Sequence, residues 1–270
     1  MSFPGTGFPV RAVVFDWAGT MVDFGCMAPV RALIEVFAGD GFALTDAEAR
    51  ADMGKAKIDH LRAIFAAPAV AQRWREAKGV LPGEADVERL YARLVPAMQS
   101  AAAKASRLIP GAAEAVAELK SLGIRIGSGT GYTRSMMAPI LSNAAAQGYT
   151  PEIVICADET PAGRPAPFMT WQALIAMGVW PASACVKVDD AVVGIEEGKQ
   201  AGCWTVGLAA SGNGVGLDLD AFHALPEAER RQRIARSAAE LEAAGADYVV
   251  EDVSHVPSIV RDIARRIATP

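Results

Sequence analysis

Cysteine is scarce in this 270-residue chain: four residues, at 26, 156, 185 and 203, with no two close together. That spacing excludes zinc ribbons and Cys-x-x-Cys redox motifs, so the four read as reduced thiols of a cytoplasmic protein. Basic runs are also missing. Lys and Arg number 26 against 31 Asp and Glu, a formal charge of −5, and no aromatic stripe interleaves with the cations. Nucleic acid is therefore a poor partner. Long apolar runs are few. The first, Ala12 to Phe15, meets Asp16 at once, so no secretory signal core is expected. The uncharged stretch from Pro165 to Val186 is interrupted by Pro167, Gln172, Gly178 and Pro181, which favours a buried helix and the start of a strand over a membrane span.

What is present is a hydrophobic content of 51%, enough to bury the core of one sizeable domain, with or without a smaller insert. There is no internal repeat, and no biased tract beyond Ala-rich helices such as Ala101–Ala105. Short β-branched runs alternate with helical patterns, the signature of a parallel α/β sheet. The predicted strands are Ala12–Phe15, Ile124–Gly127, Ile153–Cys156, Val186–Val188, Thr205–Leu208 and Tyr248–Val250. Helices are predicted near 111–122, 133–146, 167–177, 192–201, 227–244 and 256–267, and these crossovers suit a doubly wound sheet. From about Met27 to Ser106 no strand signal appears, and Ala, Arg, Glu and Leu recur at helical spacing. This predicts a helical insert after the first strand, placed as a lid over the carboxyl edge where open α/β sheets bind ligands.

The chemistry-bearing residues fall just after the predicted strands. Asp16 ends Val13-Val14-Phe15, where a carboxylate is costly unless cations or hydrogen bonds satisfy it. Trp17-Ala18-Gly19-Thr20 follows as a loop whose N–H groups suit phosphoryl oxygens, and Asp189-Asp190 ends another strand. Two strand-end carboxylates on one edge make a site for Mg²⁺. Ser128-Gly129-Thr130-Gly131 reads as a turn after the second strand, with Thr130 as a hydroxyl donor, and Arg164 in Gly163-Arg164-Pro165 as a fixed cation for phosphate. Each has an ordinary reading alone: a turn cap, a plain loop, a surface arginine. Their order along the chain is what points to phosphoryl chemistry.

On these motifs the sequence resembles the haloacid-dehalogenase superfamily, and within it the phosphonatase family, over nearly its whole length. Members that hydrolyse phosphate esters read Asp-x-Asp-Gly-Thr at the first motif, the second Asp serving as acid for the leaving alcohol. Here that position is Ala18. An alkoxide needs a proton, but cleavage of a carbon–phosphorus bond needs an electron sink, which an imine provides. The insert carries Met53-Gly54-Lys55-Ala56-Lys57-Ile58-Asp59-His60, similar to the family's Schiff-base motif, and the match falls on Lys57, not Lys55. His60, three residues on, shares a helical face with it and is suited to proton relay.

The resemblance implies a doubly wound core at 1–26 and 107–270 with a helical cap at 27–106. It implies Asp16 as nucleophile, and Mg²⁺ held by Asp16, Asp190 and the carbonyl of Ala18. It places Thr130 and Arg164 on phosphorus and Tyr132 near the aldehyde. Cys26 and Met53 read either as pocket lining or as core packing. The implied reaction is hydrolysis of phosphonoacetaldehyde to acetaldehyde and phosphate in 2-aminoethylphosphonate degradation, by a homodimer joined through the cap. Gly194 stands where many superfamily members carry a further acid, leaving Asp189 or a water to supply that charge. Two rivals stay open: a phosphatase or phosphomutase acting on a small phosphate monoester, and a non-catalytic phosphate-binding module.

Overall fold

The computed structural model describes residues 7–269; residues 1–6 and 270, which the sequence reading assigns to the core, lie outside the described residues. Six strands form one sheet in the order β3-β2-β1-β4-β5-β6. They are β1 (Ala12–Phe15), β2 (Arg125–Thr130), β3 (Ile153–Cys156), β4 (Cys185–Asp189), β5 (Trp204–Leu208) and β6 (Tyr248–Val250). Every pairing is parallel, and β1 is central, with Phe15 in register with Ser128 on one side and Val188 on the other. The chain builds outward from β1 first through β2 and β3, then returns to the opposite side with β4. The switch in winding therefore lies beside β1, where such sheets open a crevice at the strands' carboxyl ends.

Five helices, α1 (Met27–Gly39), α2 (Asp46–Arg50), α3 (Lys57–Ala66), α4 (Pro68–Lys78) and α5 (Glu84–Lys104), intervene between β1 and β2, as the strandless pattern there predicts. They carry an aromatic cluster of their own. Trp74 packs on Phe65, Phe42 and Phe37 at centroid distances of 4.7, 5.3 and 6.3 Å. Such ring pairs add roughly 0.5–1.5 kcal/mol each beyond their buried area. Thr45 and Glu48 close a capping box at the start of α2. The remaining helices are α6 (Ala112–Ser121), α7 (Arg134–Ala146), α8 (Phe168–Met177), α9 (Val192–Ala201), α10 (Leu219–Ala224), α11 (Glu227–Ala243) and α12 (Val256–Ala268).

Three differences from the sequence reading bear on the site. Strand β2 runs on through Ser128, Gly129 and Thr130, which had read as a turn. Flanked by β1 and β3, these small residues pair as strand, and a Cβ at Gly127 would already meet Met177 at 2.8 Å. Helix α8 is only half buried: Trp171 and Ile175 are exposed, although its other face packs on β2 and β3. Helix α10 was not anticipated; its signal is the Asp218 cap, which accepts the N–H of Ala221, on a segment too short for periodicity.

Candidate active site

Asp16 sits at the end of the central strand and is 7% exposed. The loop after it is tied back on itself, Met21 and Val22 donating to the carbonyl of Trp17. The Trp17 indole N–H donates to Ser128 Oγ at 2.9 Å, and its ring lies 5.0 Å from that of Tyr149. These contacts fix where Asp16 leaves the sheet.

Around it lies a dense buried charge network. Arg164 donates from Nη1 to Asp16 at 2.7 Å, from Nε to Glu197 at 2.8 Å and from Nη2 to the Gly129 carbonyl at 3.0 Å. Lys187, in the middle of β4, reaches Asp189 at 2.6 Å. Asp190 accepts from the Thr20 hydroxyl at 3.1 Å, the Asn213 N–H at 2.8 Å and Cys26 Sγ at 3.3 Å.

Asp16, Asp189 and Asp190 offer oxygens within 4.8 Å of one another, a grouping suited to a hard divalent cation. The three are not equivalent. Burial raises the Asp189 carboxyl, but Arg164 and Lys187 more than offset this and hold it below its ordinary value. Burial followed by Asp189 raises Asp16 to about 6, and burial followed by Asp16 raises Asp190 to about 7. Four carboxylates (Asp16, Asp189, Asp190, Glu197) face two fixed cations (Arg164, Lys187), so the uncompensated charge is that of one divalent ion. Asp16 shares Arg164 with Asp189 and Glu197, and Asp190 pairs with neither cation. The common acid at position 194 has no room here, since a Cβ on Gly194 would lie 2.0 Å from the Asp189 carboxylate. Asp189 takes up that space and is already paired.

The insert closes over this edge. Gly54 and Lys55 press against the core so tightly that a Cβ on Gly131 would lie 2.6 Å from the Lys55 carbonyl. A narrow cavity of about 20 Å³ remains, room for little more than one water. Its walls include Asp16, Ala18, Asp190, Cys26, Met53, Lys57, Thr130, Tyr132 and Arg164, so the structure brings together every predicted site residue except His60. Lys57, the first residue of α3, is 3% exposed; its Nζ is 3.8 Å from Met53 Sδ and 5.3 Å from the Tyr132 ring centroid. Burial lowers its ammonium to about 8, Cys26 and Asp16 partly opposing and Arg164 assisting. Thr130 Oγ1 accepts the Tyr132 N–H at 3.2 Å, which leaves its own proton to donate. The Ala18 carbonyl accepts from Cys26 Sγ at 3.1 Å.

His60 is fully buried, and neither ring nitrogen has a well-formed hydrogen bond among the described residues. Burial, then Lys57 and Lys55, hold its pKa well below the ordinary value, so the imidazole is neutral. Sequence reasoning missed Lys187, Glu197 and Asn213. The signal for Lys187 was a cation inside the apolar run Val186-Lys187-Val188; for Glu197 it was its place between Gly194 and Gly198, on the face of α9 that presses against the sheet.

A carboxylate at the end of the central strand, a strand-end hydroxyl, a buried cation and a strand-end acidic pair beneath a helical cover fit a class of phosphoryl-transfer hydrolase. The family model for haloacid dehalogenase-like hydrolases matches residues 10–202, and the chain belongs to that family. More particularly, it is 46% identical over 259 residues to phosphonoacetaldehyde hydrolase of Paraburkholderia phytofirmans, covering 96% of this chain and 97% of that protein. It is 45% identical to phosphonoacetaldehyde hydrolase of Syntrophobacter fumaroxidans, covering 96% and 94%. The crystal structure of a phosphonoacetaldehyde hydrolase-like protein from Oleispira antarctica superposes with a TM-score of 0.95 at 40% identity, over 99% of this chain and 98% of that one. β-Phosphoglucomutase from Clostridium difficile, at 14% identity and a TM-score of 0.67 over 97% of this chain and all of that one, shares the fold.

Proposed function

We propose that this protein is a phosphonoacetaldehyde hydrolase that cleaves the carbon–phosphorus bond of its substrate with Lys57 and Asp16. The observation that carries this reading is the shared cavity: an amine held near pKa 8 opens onto the same closed space as the strand-end carboxylate. Residues 27–106 act as the cap and the remainder as the core.

The Lys57 amine attacks the aldehyde carbon, water departs, and the protonated imine becomes the electron sink. Asp16 attacks phosphorus. The electrons of the carbon–phosphorus bond move onto carbon and give the enamine, with the phosphoryl group on the Asp16 carboxylate. No acid is needed for a leaving alkoxide, which fits Ala18 in place of the superfamily's second Asp. Protonation of the enamine and hydrolysis of the imine release acetaldehyde and free Lys57; water releases phosphate from Asp16. Neutral His60, one turn along α3 from Lys57, relays protons in the imine steps. Arg164 and the Thr130 hydroxyl bind phosphonate oxygens, and Tyr132, Met53 and Cys26 enclose the two-carbon unit. Asp16, Asp190 and the Ala18 carbonyl would hold Mg²⁺, which would supply positive charge against the phosphonate oxygens.

The cavity is too small to admit substrate while shut, so the cap opens to load it. Assembly as a homodimer through the cap helices follows from the family resemblance. A cytoplasmic setting accords with four free, buried cysteines, and no helix among the described residues is long and apolar enough to cross a membrane. The test is a product assay. Phosphonoacetaldehyde with Mg²⁺ should yield acetaldehyde and phosphate in equal amounts, whereas phosphate monoesters without an aldehyde should turn over at least a thousandfold more slowly, on the order of the loss of a catalytic group. Efficient turnover of such monoesters would replace this reading with that of a phosphatase.

A further inference from the structure

Glu197 is fully buried on α9, and its carboxylate divides its two oxygens between two tasks. Oε1 accepts both the N–H and the hydroxyl of Thr170, at 3.0 and 2.8 Å, and so anchors to the first turn of α8. Oε2 accepts from Arg164 Nε at 2.8 Å, with Lys187 Nζ 3.7 Å away. Arg164 is thus gripped on one edge, Nε by Glu197 and Nη2 by the Gly129 carbonyl. Its remaining arm, Nη1, faces Asp16 at 2.7 Å and Asp189 at 3.5 Å. A guanidinium can exchange a partner on one nitrogen without moving if its other donors stay bound, because its fork is planar and rigid.

We propose that Glu197 is the positioning residue of the phosphoryl site: it clamps Arg164 from behind so that Nη1 exchanges Asp16 for an incoming phosphoryl oxygen while the guanidinium stays in place. The clamp is itself braced from two sides, by the N-terminal turn of α8, whose dipole favours a carboxylate there, and by Lys187 from β4. Neither Glu197 nor Lys187 touches the cavity. Glu197 therefore acts through Arg164, and its effect is confined to anions that Arg164 binds. This inference rests on Arg164 as the phosphoryl ligand, but not on which substrate carries the phosphoryl group.

Glu197→Gln is the discriminating variant. Its amide has one acceptor and one donor end, so either Thr170 or Arg164 Nε meets N–H groups and loses its acceptor. Calorimetric titration of inorganic phosphate into the Mg²⁺-loaded full-length protein reads the site independently of the substrate. E197Q should weaken phosphate about tenfold or more, the size of a lost charge-assisted hydrogen bond, and raise KM more than it lowers kcat, with Mg²⁺ affinity unchanged in the absence of phosphate. R164K should weaken phosphate to a similar degree, and adding E197Q to R164K should cost less than about twofold more, because the two act as one unit. A folded E197Q with wild-type phosphate affinity, or full additivity with R164K, overturns the proposal. Unchanged phosphate affinity in R164K would instead overturn Arg164 as the phosphoryl ligand. Should E197Q fail to fold, Thr170→Val removes one of the hydrogen bonds holding the same carboxylate. It should weaken phosphate about two- to threefold, and unchanged affinity there also overturns the proposal.

Discussion

Arg164 Nη1 lies 2.7 Å from Asp16 Oδ1, so the cation assigned to the phosphoryl group is paired with the nucleophile in the closed site. The pair has two consequences: it lowers the cost of burying Asp16, and it makes the nucleophile a competitor of the ligand for the same nitrogen. Asp16→Asn removes that competitor and one negative charge. In EDTA, inorganic phosphate should bind the variant about tenfold more tightly than the wild-type protein, while turnover with Mg²⁺ is abolished. Calorimetry decides, and equal or weaker binding would contradict the competition.

Imine formation requires the neutral amine of Lys57. Burial brings its pKa down to about 8, so at pH 7 roughly a tenth of the amine is neutral, against about 0.03% for an ordinary lysine. The neutral form grows as pH rises toward 8 and saturates above it. The rate of imine formation at low substrate should therefore climb about tenfold per pH unit below 7 and level off above about 8. Stopped-flow measurement of imine formation across pH 6–10 tests this, and a climb continuing unbroken to pH 10 would show an unperturbed lysine.

Asp16 and Asp190 are both shifted upward, from 3.8 to about 6 and about 7, chiefly by burial and then by neighbouring carboxylates. A group that binds its proton more tightly in the folded state stabilises the fold below its unfolded pKa. That contribution is lost as pH rises through the folded value. Metal-free protein should thus lose thermal stability between about pH 4 and 7. Mg²⁺, which favours the ionised pair, should restore it, with a Tm gain of about 5–10 °C at pH 8 and less than about 2 °C at pH 5 under saturating metal. Melting curves with Mg²⁺ and with EDTA provide the check; equal gains at the two pH values would remove this pair as the metal site.

The strands and the strandless insert were legible because both rest on local pattern: β-branched runs for one, helical spacing for the other. The reactive residues were legible because each follows a strand, and parallel strands deliver their carboxyl ends to one edge. What stayed hidden was non-local. That Thr130 ends a strand instead of lying within a turn depends on β3 pairing beside it, and that His60 stands outside the cavity wall depends on how α3 packs. Glu197 escaped notice because a helical glutamate reads as solvated unless the glycines flanking it are recognised as a face pressed to the sheet. Gly194 looked like a missing acid, yet the structure gives a steric reason for it.

The most direct measurement is to mix the protein with phosphonoacetaldehyde, reduce with borohydride, digest and locate the adduct by mass spectrometry. Lys57 should carry an added ethyl group, the reduced imine of the two-carbon product, and lose activity in step with labelling, while Lys55 stays unmodified. Labelling spread over surface lysines, or full turnover by Lys57→Arg, would contradict the role of the buried amine.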